Sequence, residues 1–74
     1  MKANDKQKLL IDSIVSLTSY WKDTNDISSP SHTTLIEEEC NLCADELNLD
    51  YDDERILKIN DALLDLLNAI RKFK

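Results

Sequence analysis

Cys40 and Cys43 form a CxxC, and His32, the only histidine, lies eight residues before the first of them. A structural zinc ion takes four nitrogen or sulfur ligands, usually from two such pairs, so one CxxC supplies half a site and His32 leaves it one ligand short. Thioredoxin-type redox chemistry needs a thiolate stabilised at a helix N-terminus. Here the pair falls inside a helical period directly behind Glu37, Glu38 and Glu39, whose charge raises a thiol pKa. The expectation is two buried core cysteines, with no metal and no cofactor.

Acids are the other chemistry-bearing residues. Residues 23–65 hold 13 Asp and Glu against Arg55 and Lys58, a balance of -11. Residues 1–22 carry +2, from four Lys against Asp5 and Asp12, and residues 66–74 carry +3, giving the net -6 of the chain. Nine acids from Glu37 to Glu54 run with no Lys or Arg between them, so few helix-stabilising pairs are available there. Acid–base catalysis needs groups converging in a pocket, and none of these carboxylates has an apolar setting that would single it out. Gly-rich phosphate loops are excluded, because the chain has no glycine. The expectation is a non-enzyme.

The elements that position these residues read as helices. With no Gly and one Pro there are few places for the tight turns of a many-stranded sheet. A first helix is predicted over about 5–22, with Asn4 as N-cap and Gln7 reaching back to it. Leu10, Ile14, Leu17 and Trp21 form its apolar stripe, with Ile11 and Val15 off one flank and Leu9 and Tyr20 off the other. A polar linker over about 23–29 follows, rich in Asp, Asn, Ser and Thr. Two starts compete for the second helix: Ser29 as cap with Pro30 in the first turn, or a Thr34–Glu37 capping box. The first is preferred, since a residue before proline is pushed out of the helical region.

The second helix then covers about 30–47, with Ile36, Cys40, Cys43 and Leu47 inward and Asn48 suited to a left-handed cap. The third covers about 52–73, with acids in its first turn and Arg71, Lys72 and Lys74 at its end, as the helix dipole favours. Ile56, Ile59, Leu63, Leu66, Leu67 and Ile70 make its inward stripe.

The predicted fold is therefore all-α, one domain over 1–74, a small three-helix bundle or helical hairpin arrangement. At 74 residues a single core is thin. Each helix carries apolar residues beyond its main stripe: Leu35 and Leu42 on the second, Leu57 and Leu64 on the third, Tyr20 on the first. These five are the candidate apolar contact residues, and completion by homodimerisation is expected.

No charged-then-apolar leader opens the sequence and no apolar run nears the ~20 residues of a membrane span, so the expectation is a reduced, cytoplasmic protein that does not engage membrane. Direct nucleic-acid binding is not expected. The basic ends lie apart in an up-down-up bundle, and the acidic middle repels phosphate. The leading expectation is a small acidic protein that occludes a basic surface on a partner, as inhibitors, antitoxins, immunity proteins and phage anti-defence proteins do, its carboxylates able to stand in for phosphates. Glu37, Glu38, Glu39, Asp45, Glu46, Asp52 and Asp53 are its candidate residues. The alternative is a homo-oligomeric structural or regulatory module whose acids only confer solubility.

Overall fold

Side-chain caps start the first and third helices, and backbone bonds close the C-terminus of each helix. The computed structural model describes residues 1–73, within which α1 spans Asp5–Asp23, α2 Ser31–Leu47 and α3 Glu54–Arg71, with no strand among the described residues. Asn4 Oδ1 accepts the Gln7 N–H at 2.9 Å and Gln7 Oε1 accepts the Asn4 N–H at 3.0 Å, closing the expected capping box. After α1, the Asp26 carboxylate accepts from the hydroxyl and the N–H of Ser28, which holds it below its ordinary pKa.

α2 begins near the earlier of the two expected starts, one residue later: Pro30 (φ -60°, ψ -19°) is the cap and not the first helical residue, and Ser29 does not cap the helix, although its hydroxyl accepts the Ser31 N–H at 3.4 Å. At the far end Asn48 is left-handed (φ 57°, ψ 46°). Its N–H bonds Asp45 O at 3.2 Å and the Leu49 N–H bonds Ala44 O at 2.8 Å, the pairing of a Schellman stop. That turn delays α3. α3 begins at Glu54 instead of about Asp52, and Asp53 is its cap, its carboxylate accepting the Arg55 N–H at 2.9 Å and gripping the Arg55 guanidinium through two further bonds. Those Arg55 bonds hold the Asp53 carboxyl down to about 2. At its C-terminus α3 ends at Arg71 instead of near Phe73, and the expected basic residue Lys74 lies outside the described residues.

The chain runs up, down and up. α2 packs against both neighbours, but no Cα of α1 comes within 8 Å of a Cα of α3. The result is a wedge of 37 × 27 × 16 Å in which α1 and α3 both lean on α2 and meet each other through side chains only. Leu17 and Trp21 of α1, Ile36, Cys40 and Ala44 of α2, and Ile56, Leu63 and Leu67 of α3 form the core.

This arrangement corrects the expected inward stripes. Leu66 and Ile70, read as core, are 43% and 38% exposed, because they lie on the flank of α3 turned toward the distant α1. Leu47 is only half-buried.

Leu67 has no exposed surface while Leu57 is 48% exposed. Leu67→Ala is expected to lower unfolding free energy by about 3 kcal/mol in urea denaturation, and Leu57→Ala by no more than about 0.5 kcal/mol. Asp53 supplies a second test. Its folded pKa lies below the ordinary 3.8, so its stabilisation is complete above about pH 4 and is lost as pH falls toward 2. Urea midpoints of Asp53→Asn should fall less steeply over that window than those of wild type.

Candidate functional site

Helical spacing decides which acids share a surface. Glu38 and Asp45 are seven residues apart, with Leu42 between them at the same outer side of α2, opposite the core. All three are exposed, Leu42 at 57%. Glu37 turns toward α3, bordering a surface cleft with Tyr51, Leu57 and Leu64. Glu39 is half-buried and turns toward α1, as does Glu46, which borders a cleft with Lys6 and Leu9. The Glu37–Glu39 run thus wraps around α2 instead of forming one flat face. Asp50 and Asp52, exposed in the α2–α3 turn, extend the outer side.

Few of these carboxylates are neutralised. Among the described residues the ion pairs are Asp53 with Arg55 at 2.9 Å and Glu54 with Lys58 at 3.2 Å. Asp53 is therefore occupied as helix cap and salt-bridge partner, whereas Glu37, Glu38, Glu39, Asp45, Glu46 and Asp52 make no ion pair there. Asp45 does accept a hydrogen bond from the Tyr51 hydroxyl at 3.1 Å, which raises the tyrosine pKa. Tyr51 was not singled out by its sequence position. It is exposed beside the acids, and no periodic signal marks a residue in a turn.

The candidate apolar residues divide. Leu35 and Leu64 are half-buried and pack on the core, while Leu42, Leu57 and Tyr20 stay exposed. One side of the Tyr20 ring meets the His32 ring, with centroids 5.8 Å apart. His32 is 1% exposed, with Nε2 donating to Asp26 O at 2.9 Å and lying 3.4 Å from Thr24 Oγ1. Its bonds tie the first turn of α2 to the linker, a positioning task that its isolation in the sequence did not reveal. Arg71 makes a second tie, donating from Nε to Ile27 O at 2.8 Å and from a terminal nitrogen to Ser29 O at 2.9 Å.

Both cysteines are buried free thiols, as their helical period predicts. Cys43 Sγ donates to Ser13 Oγ at 3.2 Å, and burial, then Cys43 and Glu39, push Cys40 up to about 11. Among the described residues no three His, Cys, Asp or Glu side chains gather as metal ligands would. The hollow where α1, α2 and α3 meet, lined by Leu10, Ile14, Cys40 and Leu63, holds about 10 Å³, the space of one water. No helix among the described residues is long and apolar enough to cross a membrane.

Raising the Cys40 pKa from 9.0 to about 11 leaves roughly a hundredfold less thiolate at neutral pH. Iodoacetamide at neutral pH should leave Cys40 unmodified in the folded protein and alkylate it fully in concentrated guanidinium, read by peptide mass spectrometry. The chain matches no family model, no curated protein and no solved structure.

Proposed function

We propose that this protein is a non-catalytic binding protein whose acidic α2 side and α2–α3 turn cover a basic surface of a partner protein, as an inhibitor or antitoxin does. The observation that carries the reading is the set of carboxylates from Glu37 to Asp52 with no ion pair among the described residues. Glu37, Glu38, Asp45 and Asp52 are exposed, and Leu42 and Tyr51 beside them offer apolar area at the centre of the same surface. Such a surface speeds encounter with a positive patch by long-range attraction, while the central apolar side chains supply the desolvated contact. The same negative surface disfavours direct binding to nucleic acid or to an anionic membrane. The working compartment is the cytoplasm, where both thiols stay reduced.

A second reading, assembly of the chain with itself, is favoured by a separate observation. Apolar side chains also stand exposed on α1 and α3, outside the Glu37–Asp52 acidic segment. A dimer through those residues leaves the acidic side free, so the two readings coexist.

Affinity capture from the native cell with immobilised wild-type protein tests the first reading. A partner should bind at low ionic strength and be released at high salt. The Glu37→Lys/Glu38→Lys/Asp45→Lys variant should bind that partner at least tenfold more weakly at unchanged helicity. Equal binding by the variant, or binding indifferent to salt, excludes the acidic surface as the site.

A further inference from the structure

The gap between α1 and α3 carries exposed apolar side chains on both of its edges. On α1, helical spacing sets Ile11 and Val15 beside Ile14 and Thr18, which line the gap toward α3. On α3, Leu66 and Ile70 lie above Ile59 and Leu63, and Phe73 follows just past the helix end. Ile11, Val15, Leu66, Ile70 and Phe73 are all exposed. We infer that this α1–α3 face is closed by the same face of a second copy of the chain, giving a dimer in which four helices form the central layer and each α2 lies outside.

Three observations favour a second copy over another occupant. The first is depth. Leu10, Ile14, Ile59 and Leu63 fill the floor over one part of the gap, leaving only about 10 Å³, and the open cleft of about 450 Å³ between Thr18, Trp21, Ile70 and Phe73 is confined to the other end, so a single partner helix has no continuous trough to enter. A shallow surface with two ridges is matched by another shallow surface with two ridges, and this chain presents one.

The second is charge. The chain carries -6, which opposes self-association, yet its densest run of acids, Glu37 to Asp52, lies on α2 and the α2–α3 turn and not on α1 or α3. The edges of the α1–α3 face carry both signs, Lys8 and Asp12 on α1, Lys58 and Asp65 on α3, all exposed. Two copies therefore meet here at less electrostatic cost than at any acidic side, and a one-signed partner gains little.

The third is area. The five exposed side chains present on the order of 500 Å² of apolar surface, and with their flanking residues they reach the ~800 Å² per partner of a standard interface. Closure would also cover the cleft beside Trp21, a buried indole whose Nε1–H has no acceptor among the described residues.

This inference rests on the self-assembly reading and adds the face that mediates it, so the experiment separates the two. Sedimentation equilibrium of the wild type should give twice the 8.5 kDa chain mass at micromolar concentration. Leu66→Glu/Ile70→Glu should raise the dimer dissociation constant at least a hundredfold, and Ile11→Lys/Val15→Lys on the other edge should do the same, so the test does not depend on one variant folding. Far-UV circular dichroism checks that each keeps its helix content. Leu42→Glu/Leu57→Glu, on the α2 side, should remain dimeric. A wild type that is monomeric throughout overturns both the self-assembly reading and this face. A wild-type dimer that survives both α1–α3 variants and dissociates in Leu42→Glu/Leu57→Glu overturns the face alone.

Discussion

The structure depends on α2 burying two flanks at once. Ile36, Cys40, Cys43 and Ala44 are all buried, and three of the four are small. Small side chains let α1 approach one flank and α3 the other, but they supply little volume to hold those two helices against each other. Leu17, Trp21, Leu63 and Leu67 meet over α2 and close the core. The backbones of α1 and α3 stay apart, and the apolar residues on their facing edges are left in solvent. A chain this short has no spare element to cover them, so Ile11, Val15, Leu66, Ile70 and Phe73 stay exposed there.

Charge is divided along the same architecture. The helix with two buried flanks has only its outer side for solvent, and that side carries Glu38 and Asp45, with Glu37, Glu39 and Glu46 at its margins. Basic residues near the acids are consumed locally: Arg55 by the Asp53 cap, Lys58 by Glu54, Arg71 by the linker carbonyls. The negative side is left without compensation, while the α1–α3 face keeps a mixed border.

A buried histidine and a half-buried arginine tie the linker to the core. The Asp26 carbonyl can only accept, so His32 Nε2 donates to it, while Nδ1 is buried without a hydrogen-bond partner among the described residues. Arg71 does the same from the far end of α3, so the segment joining α1 to α2 is held by both neighbouring helices.

Local signals were legible in the residue order. The Asn4–Gln7 box, the start of α2 beside Pro30, the Asn48 stop and the burial of Cys40 and Cys43 follow from short-range hydrogen bonding and helical period, which neighbouring residues decide by themselves. The acidic middle was legible as composition, but its wrapping around α2 and the capture of Asp53 by Arg55 depend on helix phase and side-chain reach. What periodicity could not decide was how far α1 stands from α3. An apolar stripe records which residues can be buried, whereas the spacing of the helices determines which of them are. That spacing tucked Leu35 and Leu64 against the core, left Leu42 and Leu57 outside it, and exposed Leu66 and Ile70.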